Sequence, residues 1–386
     1  MIFLEERKLS PYFTTITNKL SGKKIFNTPL PPTDFFKRKV FTVFDIPDYL
    51  SPKLNSNNIG ILHKEVKMYE GYMINLGNYN DLNDYLSKKF DSKRRSQFKG
   101  YKKRLEIVLP VDYKIYYGEI SKEHYDFLFE KFLEMLKRRS AQKKILNDEI
   151  KHWKIYHELT YPRILKKEAY LAVLYHGDNP ISICLNMVYD KIVYGCIKTH
   201  DIDYAKFSLG FVDLLNQLEW CFMNKFEVFD LLKGKYDYKT RWVDSRYSFT
   251  KYIIYDSRSR LVSGLASLEW LKFKILYGLA NILRNWNVNI IFQKSIAAWH
   301  YWRNPKSKIP IQSKLFVESI TDLPDVSKIV KIDYEKEEYR LIKKTVLDFV
   351  HRNKIHIQEV NLFNSLERKD MFFLQGGERI QKITLL

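Results

Sequence analysis

The chain has 386 residues, 45% hydrophobic and 28% charged, a globular composition long enough for two or three domains. It carries 65 Lys and Arg against 45 Asp and Glu, a net charge of +20 that calls for an anionic partner. Its 3 cysteines, Cys184, Cys196 and Cys221, are odd in number and lack metal-ligand spacing, which argues against a disulfide framework, a metal site and a catalytic thiol. No run of about eighteen apolar residues predicts a membrane-spanning helix. Met1–Arg7 has charges where a secretory signal would have its apolar core, so the expected location is a reducing cytoplasm.

In chain order, Met1–Asn58 is irregular and punctuated by Pro29, Pro31, Pro32, Pro47 and Pro52. It reads as a partly wrapped arm with short strands such as Val40–Phe44. Ile61–Asn75 is β-rich, and Asn80–Arg104 is a helical region dense in cations: Lys88, Lys89, Lys93, Arg94, Arg95, Lys99, Lys102, Lys103 and Arg104. Leu86, Phe90 and Phe98 would dock such a helix while the cations face water. A solvated face is the plain reading, but this density favours a polyanion: tRNA, the phosphates of a coenzyme, or an anionic membrane surface peripheral to the cytoplasm. No nucleic-acid signature accompanies it, so sequence-specific DNA binding is not expected.

Ser121 caps a predicted helix through about Arg139, with Leu128, Phe129, Phe132, Leu133 and Leu136 on its apolar side. Ile145–Leu165 reads as helical until Pro162 interrupts it. His152 and His157 there are five apart, not the four of a helical zinc pair. Three strands follow, Tyr170–Tyr175, Ile181–Tyr189 and Ile192–Lys198, joined by turns at His176–Pro180 and Asp190-Lys191. Ser208 precedes a helix opening at Gly210, apolar at Phe211, Leu214, Leu215, Leu218 and Phe222. After a turn at Asn224-Lys225 the strand Phe226–Leu231 runs into a polar loop, Lys233–Arg241. A right-handed crossover would place that strand parallel to the third one. The helix N-terminus then presents unpaired N–H groups and a positive dipole end, which suit a phosphate or carboxylate.

Leu261–Arg284 is predicted as a long helix, Asn285–Pro310 as a connector with Trp299, Trp302 and Pro305, and the remainder as a small α/β module. Its strands fit Leu315–Ile320, Ile329–Ile332 and Ile355–Leu362, its helix Lys336–Arg352, and a hairpin at Gly376-Gly377 joins Met371–Gln375 to Ile380–Leu385. There are no internal repeats. No Walker loop, Rossmann glycine triplet or Gly-x-Ser-x-Gly elbow is present, which removes the commonest NTPase, dinucleotide and serine-hydrolase readings.

Three segments around the crossover stand out: Asp201-Ile202-Asp203-Tyr204, Ser208-Leu209-Gly210, and Phe229-Asp230-Leu231-Leu232-Lys233-Gly234 followed by Tyr238-Lys239 and Arg241-Trp242. In this order they resemble the GNAT acyltransferase superfamily, and within it the branch of the cellulose-biosynthesis protein CelD, related to the Fem peptidyltransferases. The resemblance covers roughly Asp81 to Leu283. Leu209 stands where that family usually has Pro, and Leu232-Lys233 where it prefers Gly-Arg.

The resemblance implies an α/β (α+β) fold, a GNAT-like mixed sheet with a strand-helix-strand crossover and flanking helices, either single or in tandem, plus the small C-terminal α/β unit. The expected division is 1–115 for the arm and a GNAT-like half with the basic helix, 116–285 for the GNAT-like acyltransferase domain, and 286–386 for the connector and module. The implied activity is N-acyl transfer from acyl-CoA or acetyl-CoA, or another thioester, to an amine on a small molecule, amino sugar or amino acid, without a metal. Acyl-carrier protein joins tRNA and the anionic membrane among the partners of the basic helix. Ser208, Leu209 and Gly210 would bind the donor's pyrophosphate. Asp230 and His200 are the candidates for deprotonating the amine. Gly234, Tyr238, Lys239 and Trp242 would line the acceptor side. Each has a plainer reading: Asp230 and Lys239 as a structural ion pair, Tyr238 and Trp242 as core aromatics, His200 as a surface turn residue. The competing functions are a Fem-like aminoacyl-tRNA-dependent transferase and a non-catalytic polyanion- or membrane-binding protein on a decayed acyltransferase fold.

Overall fold

The computed structural model describes residues 13–27, 37–54, 60–234, 236–285 and 315–386, with Ser295, Ala298 and Arg303. The prolines at 29, 31 and 32 and the connector's Trp299, Trp302 and Pro305 lie outside the described residues. The first strands are β1 (Phe13–Asn18), β2 (Lys24–Asn27), β3 (Val40–Pro47), β4 (Leu50–Leu54) and β5 (Ile61–Asn75). Next come α1 (Leu82–Lys89), α2 (Ser92–Val108), β6 (Val111–Tyr116), α3 (Lys122–Lys143), α4 (Asp148–Lys151) and α5 (Trp153–Leu165). The central run is β7 (Ala169–His176), β8 (Asn179–Tyr189), β9 (Ile192–His200), a 3-10 segment Ile202–Phe207, α6 (Leu209–Met223), β10 (Val228–Lys233), α7 (Asp237–Trp242), β11 (Ser245–Asp256) and α8 (Arg260–Asn285). The C-terminal module holds β12 (Leu315–Ile320), β13 (Ile329–Ile332), α9 (Arg340–Asn353), β14 (Val360–Ser365), β15 (Met371–Gly376) and β16 (Arg379–Leu385).

The chain folds as a mixed α/β structure with a sheet of order β3-β11-β5-β10-β9-β8-β7-β6 and flanking helices. Contacts gather into two compact units, each assembled from three stretches of chain. The first is 1–80, 186–196 and 224–295, and the second is 81–185, 197–223 and 296–386.

In the first unit β10 pairs parallel to β9, with Val228 opposite Ile192 and Asp230 opposite Tyr194, and antiparallel to β5. The strand-helix-strand crossover expected from the sequence is thus present. On this unit's sheet α8 buries Val262 and Ala266 against Val66, Ile253 and Tyr255.

The second unit's core joins Leu105 and Val108 of α2, Leu174 of β7, Val212 of α6 and Val346, Leu347 and Val350 of α9 with Leu374 and Ile383 of the module's sheet. Each of these side chains contributes about 1.5–3 kcal/mol by leaving water. The module's sheet has order β12-β16-β15-β14-β13.

Several elements differ from expectation for local reasons. The basic region is two helices, because Asp81 caps α1 through Asp84 N at 2.8 Å and Asp91 caps α2 through Arg94 N at 2.7 Å. Leu86 and Phe98 are buried, whereas Lys93, Arg94, Lys99 and Lys103 face water. Pro162 lies inside α5 and does not stop it at once: the helix runs three residues further and ends at Leu165. Ile357–Glu359 forms a 3-10 turn capped by His356, which delays β14 to Val360. Within the polar stretch after β10, Asp237–Trp242 is helical.

Candidate functional site

The first unit builds its polar centre around the end of the β9–β10 pairing. Asp230 is fully buried, and both carboxylate oxygens are engaged. Oδ1 accepts from Leu232 N at 2.7 Å and Oδ2 from the Tyr49 hydroxyl at 2.7 Å, while Tyr247 Oη lies 2.9 and 2.8 Å from the two oxygens. Tyr194 is completely buried beside this cluster. Burial pushes the carboxyl up to about 6; the bonds from Tyr49, Leu232 and Tyr247 and the charge of Lys239 oppose the rise.

Past Asp230 the strand kinks. Leu232 has φ +58°, and β10 uses Asp230 to Lys233 where β5 uses only Met73 to Gly71, a bulge of one residue. This left-handed position is one where the resembled family has Gly, which adopts it without strain. Lys239, buried on α7, donates to Leu231 O at 2.5 Å and Lys233 O at 2.8 Å. Asp230 and Lys239 therefore satisfy the backbone groups that the kink turns away from the ladder. Gly234 continues the turn with φ +105°, Tyr238 stacks with Tyr236 at 6.2 Å, and Trp242 is buried.

Gly71 makes the cluster sterically feasible. A Cβ there would lie 2.1 Å from Cζ of Tyr247, so the ring reaches Asp230 only across a residue without a side chain.

The second unit holds the other expected residues. Ser208 has φ +55°, and its carbonyl accepts from Phe211 N at 2.8 Å as the 3-10 segment turns into α6. The first-turn N–H groups of α6, beginning with Leu209 and Gly210, point out of the helix start. Lys198 Nζ donates to Gly210 O at 2.5 Å, which sets an ammonium beside that end.

His200 Nδ1 lies 3.2 Å from Nη1 of Arg139. Arginine can only donate, so Nδ1 accepts and the proton of the neutral ring sits on Nε2. Burial, then Arg139, Lys198 and Lys143, lower the imidazole to about 3. His200 is accordingly a neutral N–H donor at ordinary pH. Asp201 and Asp203 clamp Arg138 at 2.7 and 2.8 Å, and Tyr204 Oη meets His176 Nδ1 at 2.8 Å. On the buried side of α6, Asp213 accepts from the Ser182 hydroxyl, and burial raises its carboxyl to about 6.

Asp230, Lys239, Gly234, Tyr238 and Trp242 thus gather in the first unit, and His200, Ser208, Leu209 and Gly210 in the second. Sequence reasoning missed Tyr49, Tyr194, Tyr247 and Gly71. A buried carboxylate predicts partners but does not say which of 27 tyrosines supply them.

Residues 92–240 match the family model described as an acetyltransferase (GNAT) domain. The chain carries a GNAT-type acetyltransferase domain. This domain spans the basic helix α2, the crossover and the Asp230 kink. Comparison with curated protein sequences found no match. Among solved structures, FemX is 11% identical over 52% of this chain and 67% of its own, with a TM-score of 0.36. L-PGS from Bacillus licheniformis is 12% identical over 57% and 69%, with a TM-score of 0.32. A tandem GNAT protein from the clavulanic acid biosynthesis pathway is 10% identical over 55% and 62%, with a TM-score of 0.30. No helix among the described residues is long and apolar enough to cross a membrane.

Proposed function

We propose that the chain is an N-acyltransferase of the CelD-like branch, moving an acyl group from acyl-CoA or another thioester to an amine in the cytoplasm. The observation that carries this reading is the match of residues 92–240 to the GNAT domain, which includes the parallel β9–β10 pair. The pair stops at Tyr194 and Asp230, where the kink at Leu232 turns β10 aside. In this reading, backbone N–H groups of β9 beyond Tyr194 hold the thioester carbonyl and its developing oxyanion. The amides of Ser208, just before α6, and of Leu209 and Gly210 at its start, with Lys198, hold the donor's pyrophosphate.

Such a reaction needs an aligned amine more than it needs covalent chemistry from the protein. Asp230 and Lys239 are positioning residues, because their polar atoms are engaged in shaping the kink. Asp230 accepts the amine's proton only if a hydroxyl of its tyrosine cluster gives way. His200, neutral with its proton on Nε2, serves as a hydrogen-bond donor. Gly234, Tyr238 and Trp242 belong to the acceptor side. No metal is required.

Thiol release from a panel of acyl-CoAs, with amino sugars and amino acids as acceptors, tests the proposal on the full chain. Thioester-dependent acylation of an amine, identified by mass, is the expected result. No thermal shift and no thiol release with any thioester would sink it. The exposed cations of α2 favour a second reading, a Fem-like transferase using aminoacyl-tRNA. Transfer from charged tRNA with no response to thioesters would establish that alternative, and binding without turnover of either donor would leave a non-catalytic polyanion binder.

A further inference from the structure

Within the second unit, α2, the 3-10 segment before α6, and α9 line an open cavity of about 280 Å³. Gly100, Tyr101 and Arg104 line it from α2, Lys206 and Phe207 from the 3-10 segment, and His351 from α9. Its volume is several times the ~30 Å³ share of a water molecule, too large for a bare phosphate to fill.

The charges in this cavity are of one sign. Among the described residues, neither Arg104 nor Lys206 forms an ion pair or side-chain hydrogen bond. His351 lies close enough to both that, after burial, they lower its pKa; Asp348 opposes them, itself paired with Lys344 at 2.7 Å. Like charges converging on a concave surface without a counter-charge favour an anion. Aromatic rings complete the walls. Phe207 is buried and meets the His351 ring edge-on at 4.9 Å, and Tyr101 stacks on Phe211 at 5.8 Å. Gly100 is exposed at the rim, and a Cβ there would meet nothing within 4 Å, so a side chain has room beside the cavity.

We propose that this cavity binds a nucleotide, with Arg104 and Lys206 on the phosphate and the base against the Tyr101 and Phe207 rings. Guanidinium and ammonium groups suit a phosphate, and base–aromatic contacts tolerate any base. The proposal does not rest on acyl transfer. The nucleotide comes either free or as the end of a single-stranded RNA, and both sources present the same chemistry.

Calorimetry on the full chain with AMP, adenosine, inorganic phosphate and a short single-stranded RNA tests it. AMP should bind at least tenfold more tightly than adenosine or phosphate. Gly100→Leu places a bulky side chain at the cavity while improving helix propensity, and should weaken AMP at least tenfold with a melting temperature no lower than the parent's. The double variant Arg104→Gln with Lys206→Gln removes charge instead of space and should do the same. Gly210→Val should leave AMP binding intact, which separates this cavity from the proposed donor site. RNA binding more tightly than AMP, and weakened by the same variants, identifies a strand end; AMP binding as tightly as RNA identifies a free nucleotide. The proposal fails if AMP does not bind, if phosphate binds equally well, or if Gly100→Leu binds AMP as the parent does.

Discussion

The Asp230 carboxylate and the Lys239 ammonium hold neighbouring backbone groups of one kink: Asp230 takes Leu232 N–H at 2.7 Å, and Lys239 donates to Leu231 O at 2.5 Å. Between them they stabilise a left-handed leucine that would otherwise leave buried polar groups unpaired. Lys239→Met keeps the aliphatic stem but deprives Leu231 O and Lys233 O of their donor. We expect a loss of about 2 kcal/mol or more in denaturant unfolding. Acyl-transfer turnover should fall at least tenfold with donor affinity unchanged, since the kink ends the β9–β10 pairing and α6 does not depend on it. Equal turnover in a folded variant would divorce the kink from catalysis.

The tyrosines around Asp230 give a pH-dependent expectation. The folded protein holds the Asp230 proton more tightly than the unfolded chain does, because burial raises its pKa to about 6. This contribution to stability is greatest below the ordinary carboxylate range and is lost as pH rises through about 6. Tyr247 opposes the shift by donating to the charged form. Tyr247→Phe should push the carboxyl higher, so the variant should be more destabilised at about pH 8 than at about pH 5. Gly71→Ala, whose Cβ overlaps the Tyr247 ring, should show the same trend on top of about 1–3 kcal/mol of overpacking. A pH-independent difference from the parent would show that Tyr247 does not tune Asp230.

Periodicity and turn chemistry made the crossover readable. The alternation of β7 to β9, the tight turns between them and the apolar stripe of α6 are local signals, and local signals survive in a single sequence. The Asp230 cluster was half legible. A carboxylate in an apolar strand announces a buried partner, but Tyr49 and Tyr247 come from positions 181 and 17 residues away. The sign of φ at Leu232 could not be read either, since leucine carries no hint of the left-handed region. The basic run looked like one helix because its cations are continuous. Asp91 splits it, since an aspartate that can cap a helix start competes with its own place in a helix interior. The nucleotide cavity was invisible because His351 lies some 250 residues from Arg104 along the chain.

His200 gives the opposite acid response. Its folded pKa is lowered to about 3, so the neutral ring favours the fold above the ordinary histidine value. That stability is lost as pH falls from about 6.5 toward 3. His176, lowered to about 4, acts in the same direction, whereas Asp213 and Asp230 act in the other, so only a difference between variant and parent isolates one group. His200→Gln should lose less stability than the parent between about pH 6.5 and pH 4, measured by urea midpoints. Parallel pH profiles would place His200 in an environment unlike the one seen here.

Gly210 stands at the start of α6 with Lys198 Cε and Nζ 3.8 Å from where a Cβ would be. Alanine fits there, but the branches of valine would displace the Lys198 ammonium from Gly210 O and cover the first-turn amides. Gly210→Val should weaken binding of acyl-CoA at least tenfold, with the melting temperature within a few degrees of the parent. Gly210→Ala should bind nearly as well. Equal donor affinity in the folded valine variant would place the donor away from α6.

The cations of α2 allow the partner to be read from salt. Arg94, Arg95, Lys102 and Lys103 leave the core to Phe98, Leu105 and Val108, so replacing the four with Gln should change stability little. Lys102 has only a 3.7 Å approach to the exposed Glu219, an arrangement that contributes at most about 1 kcal/mol. If α2 tracks a phosphate backbone, each lost contact reduces the number of counterions released. The slope of log affinity against log salt should then flatten by about 0.7 per contact for single strands. A steep loss confined to tRNA would favour the aminoacyl-tRNA reading over the thioester one. Loss confined to anionic vesicles would assign the helix to a membrane-associated acceptor. Binding to tRNA, vesicles and acyl-CoA that all match the parent would show that α2 is a solvated face and that its charge serves solubility.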